Sequence, residues 1–380
     1  MSGARPFRLL HLHSTFSPGG KELRAVKLMN AFGQGAEHVV VSGVPGDLGA
    51  AAAVDPAVQV TYPDDFPSLA GKPGPLRWWR IARAMQHFDL VLTYNWGAMD
   101  AVGARWLYRH LLHLPPLVHH EDGFNSDEAE GLKPVRNRFR RLTLRAAAAL
   151  VVPSRVLEGI ARSLWHVPVA KLKRIPNGIP LGEFQGERTA ALFGLDKRPG
   201  ALWLGTMAGL RTVKNLPRLV RAFAALPSPW ELVIVGEGPE RGAILAEAQR
   251  LGLADRVHLP GFAANPAEVL PQFDLFALSS DSEQFPISVV EAMAAGLAVV
   301  SPAVGDVMVI VAATNRPLIT PPGDETALAA ALAEAAGDAA RRGAIGAANR
   351  ARVRTEFGEE AMIAAYRETY GAAVGSRTFP

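Results

Sequence analysis

The sequence predicts an α/β protein made of two doubly wound, Rossmann-like domains. Three observations point there. Short apolar runs alternate with longer amphipathic stretches along the whole chain, the order of parallel strands joined by crossover helices. The apolar runs are continuous, as in strands covered on both faces. They form two series on either side of the Gly- and Pro-rich stretch 176–199, and 380 residues suit two domains of about 100–200 residues each.

In the first series the predicted strands are 7–12, 38–42, 58–62, 90–93, 117–119 and 149–152. In the second they are 202–204, 232–235, 257–259, 275–278 and 299–300. Stretches 22–32, 216–226 and 241–251 carry apolar residues at helical spacing. The expected division is 1–180, 181–355 and a helical tail over 356–380.

Composition removes several functions. No cysteine is present, which excludes disulfides, thiolate metal sites and a cysteine nucleophile. No apolar run reaches the roughly 18–20 residues of a membrane span. The opening MSGARPFRLLHLHS lacks the apolar core and cleavage site of a secretory leader, so a cytoplasmic protein is expected. Through Arg174 there are 22 Lys/Arg against 14 Asp/Glu, and beyond it 18 against 22. A basic first half and an acidic second half suit different partners. No aromatic-basic RNA motif appears, and no nucleic acid is expected.

Parallel sheets bind ligands beyond the carboxyl ends of their strands, so the loops after strands matter most. The segment 279–302, SSDSEQFPISVVEAMAAGLAVVSP, reads as strand end, loop, helix and strand. Pro286 suits the first helical position, with Phe285 as an N-cap that has no side-chain oxygen to offer. The open backbone N–H groups there, through Ile287, are a seat for phosphate. Glu283 precedes the helix. Glu291 borders its apolar stripe of Ile287, Val290, Ala294 and Leu297. A carboxylate there is costly unless hydrogen-bonded, and a ribose diol would serve.

Other loops add weaker signals. STFSPGGK, 14–21, follows the first strand, and Gly19 and Gly20 let backbone approach a ligand; an ordinary glycine turn reads the same. His119 and His120 end a strand, where a histidine can donate to a sugar hydroxyl or move a proton. Adjacent strand histidines point to opposite faces and chelate a metal poorly; one buried and one exposed histidine is the bland alternative. In LGTMAGLRTVKN, 204–215, Arg211 and Lys214 could clamp a diphosphate. VGEGP, 235–239, places Gly236 and Gly238 in half of a dinucleotide fingerprint, with Arg241 where its third glycine belongs. Asn177 sits in a Pro-Asn-Gly turn. No convincing DxD pair is present, so no metal is expected and cations and helix dipoles would replace it. Lys133 to Arg145, KPVRNRFRRLTLR, has six basic residues and no acidic one. As a helix it aligns Val135, Phe139 and Leu142 and could rest on an anionic membrane or hold a lipid-linked phosphate; a solvated basic face is the alternative.

Over nearly its full length the chain resembles the family-4 retaining glycosyltransferases of GT-B fold. Glu283 to Glu291 and AMAAGLAVV look like their EX7E and EAMAxGxPVV motifs, and GGKE, the HH strand end, PNGI, LRTVKN, VGEGP and PPGD follow in matching order. The resemblance implies two domains with a cleft between them. The first is the acceptor side, the second holds a UDP-, GDP- or ADP-sugar, and the tail packs back on the first. No cofactor is implied. By analogy Glu291 binds ribose and Glu283 the sugar hydroxyls. Backbone at Phe285, Pro286 and Ile287 meets sugar and phosphate, and Arg211 and Lys214 neutralise the departing diphosphate. Gly20 lies against that diphosphate, and His119 or His120 contacts the sugar. The implied reaction moves the sugar to a glycan or lipid-linked acceptor with retention and without metal. A nucleotide-sugar epimerase of the same fold and an idle nucleotide-sugar binder are the alternatives. The chain departs from the pattern at Gln284, usually glycine, at Thr206-Met207, where a cation usually follows a glycine, and at Ala298, usually proline.

Overall fold

A computed structural model describes all residues except 1–4, 73, 125–127, 129–130, 186–190 and 193. The chain forms two compact units, Met1–Asn177 with Ala361–Pro380, and Gly178–Glu360.

The first unit holds strands β1 (Phe7–His13), β2 (Ala36–Ser42), β3 (Val60–Thr61), β4 (Leu90–Tyr94), β5 (Leu117–His120), β6 (Ala149–Val152) and β7 (Leu172–Arg174). They make one parallel sheet in the order β3-β2-β1-β4-β5-β6-β7. Leu9, Leu10 and Leu12 are all fully buried, so both faces of β1 are covered, as its unbroken apolar run requires. The helices are α1 (Gly20–Phe32), α2 (Pro75–Met85), α3 (Met99–Tyr108), α4 (Pro134–Thr143) and α5 (Arg155–Ser163). Ser154 caps α5 by accepting from Leu157 N at 3.1 Å, a bond worth about 1 kcal/mol.

The second unit opens with a two-strand hairpin, β8 (Ala191–Leu192) and β9 (Leu195–Asp196), then continues through β10 (Leu202–Met207), β11 (Trp230–Val235), β12 (Val257–Gly261), β13 (Leu275–Ala277), β14 (Val299–Pro302) and β15 (Ile319–Thr320). The last six form a parallel sheet in the order β12-β11-β10-β13-β14-β15. Its helices are α6 (Leu216–Phe223), α7 (Arg241–Arg250), α8 (Pro266–Val269), α9 (Ile287–Ala294), α10 (Val307–Ile310), α11 (Glu325–Gly337) and α12 (Ala339–Glu356). Helix α13 (Glu359–Val374) returns to the first unit and buries Met362, Tyr366 and Tyr370 in its core.

Both sheets reverse their strand order once, beside β1 and β4 in the first unit and beside β10 and β13 in the second. The crevice past those strand ends is where doubly wound sheets take ligands. The loops it selects are 14–19 and 95–98 in one unit, and 208–215 and 278–286 in the other.

Candidate functional site

In the second unit, the two loops flanking the switch point are sewn together. Ser279 Oγ donates to Lys214 O at 2.9 Å and Asp281 N to Val213 O at 2.9 Å. Asn215 Nδ2 donates to Asp281 Oδ2 at 3.1 Å, and Arg218 pairs with Asp281 at 2.7 Å. Asn215 holds a left-handed backbone, φ 43°, ψ 50°, which its residue type tolerates better than most. This stitching brings Lys214 Nζ to Glu283 Oε1 at 2.5 Å, and Ser280 Oγ donates to the same oxygen at 2.7 Å. The cation and the first glutamate of the motif, 69 residues apart, are thus one group. Arg211 lies exposed beside them, with no acidic partner among the described residues.

Helix α9 starts one residue later than the sequence suggested. Pro286 is the N-cap, with no side-chain bond to the first turn, and Phe285 is 8% exposed and packed on Phe357. The correction has a simple cause: the benzyl group is core, so the chain turns into the helix after it. Ile287 and Glu291 are half-buried, and Val290, Ala294 and Leu297 join the core. The loop before α9 is braced from behind. Asp306 N donates to Gln284 O at 3.0 Å, and a Cβ on Gly305, at φ 54°, would stand 2.5 Å from the carbonyls of Glu283 and Gln284. Gln284 Oε1 is buried without a hydrogen-bond partner.

Gly236 and Gly238 have a structural reason to be glycine that the sequence did not show. A Cβ on Gly236 would lie 1.9 Å from Ala208 O, and one on Gly238 2.5 Å from Leu210 O. Their loop runs backbone to backbone with 208–210, through Ala208 N to Val235 O and Leu210 N to Glu237 O. They position the Arg211–Lys214 loop.

In the first unit, Gly19 is the N-cap of α1 without a side-chain bond, and Gly20 begins the helix, exposed. Lys21 is ion-paired with Glu22, whose carboxylate lies 2.8 Å from where a Gly19 Cβ would stand. The loops from β1 and β4 meet closely: a Cβ on Gly97 would lie 2.2 Å from Ser14 Cβ. Between them Asn95 takes φ 54°, ψ −171°, strained for a side chain. Its N–H donates to His120 O and its Oδ1 accepts from Asp122 N.

The histidines correct an expectation, since both are buried, at 0% and 1% exposure. His120 Nδ1 lies 3.1 Å from Thr93 O, which can only accept, so that nitrogen carries the proton and Nε2 accepts from Tyr370 O–H at 2.8 Å. Both of its nitrogens are taken. His119 Nδ1 meets Thr93 Oγ1 at 2.8 Å, and its Nε2 stands 3.6 Å from Glu121 Oε2. Asn177 also turns inward: it is 8% exposed and its Oδ1 accepts from Arg24 Nη1 at 2.9 Å. Arg24 also pairs with Asp122, Nη2 to Oδ2 at 2.8 Å. Burial pushes the Asp122 carboxyl up, but the charge and hydrogen bonds of Arg24, helped by His120 and Lys21, together hold it below its usual range.

Around these residues lies a buried polar network that motif reading missed. His11 Nε2 meets His38 Nδ1 at 3.0 Å and its Nδ1 meets Tyr94 Oη at 3.2 Å. The His13 ring stacks on Tyr94, with centroids 3.9 Å apart. On the other face of β5, Arg140 is fully buried, bonded to Glu121 and Glu128, and its guanidinium lies 5.0–5.4 Å from the rings of Trp96, Phe124 and Trp165. One signal was available: His11 and His13 are two apart on a strand and therefore share a face. Among the described residues no cluster of side chains suits a metal ion.

Comparisons with known proteins follow the two units. Residues 18–183 match the model of "Glycosyltransferase Family 4", and residues 190–352 that of "Glycosyl transferases group 1". The N-acetyl-alpha-D-glucosaminyl L-malate synthase of Bacillus anthracis is 30% identical over 166 residues, 43% of this chain and 44% of that protein. The D-inositol 3-phosphate glycosyltransferase of Segniliparus rotundus is 28% identical over 247 residues, 62% of this chain and 54% of that one. The chain thus spans about half the length of the curated relatives it matches. The solved structure of Anabaena Alr3699/HepE in complex with UDP is similar with a TM-score of 0.79 at 21% identity, over 96% of this chain and 100% of that one.

Proposed function

The chain belongs to the family-4 glycosyltransferases, with their GT-B arrangement of two doubly wound domains, and from that premise we propose that it moves a sugar from a nucleoside-diphosphate sugar to a glycan or lipid-linked acceptor. The observation that carries the reading is the Lys214–Glu283 pair beside the open start of α9, at the strand-order reversal of the second unit. Glu291 would hold the ribose and Glu283 the sugar hydroxyls. Lys214 and Arg211 would neutralise the diphosphate, with the α9 backbone N–H groups completing the seat. Lys214 then exchanges its bond to Glu283 for the departing phosphate, freeing one carboxylate oxygen for the sugar. UDP in the Anabaena structure supports uridine as the base.

The reaction proposed is retaining and metal-free. The bond from the anomeric carbon to the phosphate oxygen breaks while the acceptor oxygen forms its bond on the same face. The acceptor's proton passes to the leaving phosphate oxygen. No protein nucleophile is required, so the chain's task is positioning and charge stabilisation. The reaction would take place in the cytoplasm, where nucleotide sugars would be met.

A thermal-shift screen of UDP-, GDP- and ADP-sugars should show one that raises the melting temperature, because a ligand bound only by the folded state stabilises it. With that donor, Lys214→Ala should lower transfer by about 10²–10³-fold, Glu291→Ala should abolish the thermal shift, and EDTA should leave the rate unchanged. Undiminished transfer in both variants overturns the site, and loss in EDTA restored by a divalent ion overturns the metal-free step.

A further inference from the structure

We infer that the first unit seats an uncharged sugar ring on Trp96, at the carboxyl ends of β1, β4 and β5. The inference rests on the transfer reading above and names its acceptor class, a neutral glycan end. Trp96 stands just past β4, where the strand order of the first sheet reverses, and ligands sit at such reversals. Polar residues from the neighbouring strands are brought to it. On one side Asn95 Oδ1 accepts from Asp122 N at 2.7 Å. On the other, a Cβ on Gly97 would stand 3.3 Å from Ser14 Oγ. Ser14 and Thr15 are half-buried, and neither hydroxyl has a hydrogen-bond partner among the described residues.

The indole is a fixed platform. Phe139, which the sequence aligned with Val135 and Leu142 on α4, turns inward and meets it edge-on, with centroids 5.8 Å apart. The guanidinium carbons of Arg136 and Arg140 lie 4.9 and 5.0 Å from its centroid. The ring is still only half-buried, and so is Phe124 past the end of β5. A rigid aromatic surface binds with little ordering cost, and its electron-rich face suits the C–H bonds of a pyranose. Backbone strain marks the same spot. Asn95 holds φ 54°, ψ −171°, a costly conformation of the kind that collects at ligand sites. It sets the direction in which Trp96 leaves β4.

Charge selects the ligand. The cations around these strand ends are matched by carboxylates among the described residues. Lys21 pairs with Glu22 and Arg24 with Asp122, while Arg136 pairs with Glu128 and Arg140 with Glu121 and Glu128. A phosphate or carboxylate placed there would break one of these pairs or lose its own hydration unmatched. A neutral ring asks for less. Trp96 offers the apolar face, and Ser14, Thr15 and the remaining lone pairs of Asp122 offer hydrogen bonds to its hydroxyls.

The test is saturation-transfer difference NMR on the full chain without nucleotide, because every residue named belongs to the first unit. The probes are methyl α- and β-glycosides of glucose, galactose, mannose and N-acetylglucosamine, against glycerol phosphate and methyl glucuronide. At least one neutral glycoside should give a signal, strongest on the ring protons of one face, and the anions none. The signal should persist at about 0.5 M salt, where charge interactions are screened. Trp96→Ala should weaken binding at least about fivefold, Trp96→Phe should restore part of it, and Ser14→Ala should cost about fivefold. Trp79→Ala, on the exposed face of α2, should change nothing. Unchanged melting temperatures show that the variants fold; if Trp96→Ala melts early, Ser14→Ala decides alone. Silence from every neutral glycoside, an equal signal in folded Trp96→Ala, or binding by the anions instead overturns the inference. A nucleotide sugar that raises the melting temperature while no glycoside binds overturns this inference and leaves the transfer reading standing. Glycoside binding with no nucleotide sugar bound keeps the sugar seat and overturns transfer.

Discussion

Four histidines should make the first unit acid-labile well above the range where carboxylates titrate. Burial holds His11 and His13 well below the ordinary 6.5, His38 at about 4 and His120 at about 3. His38 and His13 add to the effect at His11, Lys21 and Arg24 add to it at His13, and Arg24 adds to it at His120, where Asp122 opposes. Folded, all four are neutral at about pH 5.5; unfolded, each titrates near 6.5. Because the folded value is the lower one, the unfolded chain binds more protons, and stability falls as pH drops through 6.5. From about pH 7.5 to 5.5 the four histidines together remove roughly 5 kcal/mol. That is comparable with the whole stability of a domain, about 5–15 kcal/mol. Asp89 and Asp122, held below 3.8, keep their contribution throughout this window and lose it only at lower pH. Urea midpoints followed by tryptophan fluorescence would read the effect, since Trp78, Trp79, Trp96, Trp106 and Trp165 lie in the first unit and only Trp203 and Trp230 in the second. Near pH 5.5 the slope should correspond to about 3.6 protons taken up on unfolding. His13→Phe keeps the stack on Tyr94, removes two buried unbonded nitrogens and should lower that slope by about one proton. An uptake below about one proton, or an unchanged slope in His13→Phe, would refute the reasoning.

Two other predictions test the second unit. Gly236→Ala forces a Cβ onto Ala208 O at a φ of 148° and should destabilise by roughly 2–4 kcal/mol, whereas Gly343→Ala, in open space within α12, should stabilise by about 0.5–1 kcal/mol; thermal melts of the two variants must move in opposite directions. Gln284→Gly removes the amide whose Oε1 is buried without a partner beside Glu283 and should change the ratio of kcat/KM between donor sugars epimeric at one hydroxyl by about tenfold or more; an unaltered ratio would show that Gln284 does not read the sugar.

What could be read from the sequence depended on how local each feature was. Strands such as β6 and β10 were legible because parallel strands covered on both faces leave continuous apolar runs. β7 was not: Leu172 is the only apolar residue of its three, with Lys173 and Arg174 exposed on a sheet edge. Two-residue β15 is shorter than any period can reveal. The EX7E segment was legible because its two glutamates and the helix between them lie in one short stretch, and a helix start follows from adjacent residues. Even there the boundary slipped by one, because whether Phe285 caps a helix or fills a core is decided by Phe357, far along the chain.

The first unit hides its polar chemistry for the same reason. His120 is held by Tyr370, 250 residues away, and Asn177 by Arg24, 153 residues away. No pattern within β5 shows that α13 will supply a hydroxyl to His120, so an HH pair at a strand end does not tell which ring the fold already holds: both nitrogens of His120 are bonded, whereas His119 Nε2 has no hydrogen-bond partner. The converse holds for VGEGP. Glycines that resemble a ligand cradle are fixed by Ala208 O and Leu210 O, and the backbone bonds of their loop support the loop that carries Arg211 and Lys214. Glycine and histidine in a strand-end loop therefore carry two meanings, approach of a ligand or approach of the fold itself. Only the distance from their missing or buried atoms to the rest of the chain separates the two.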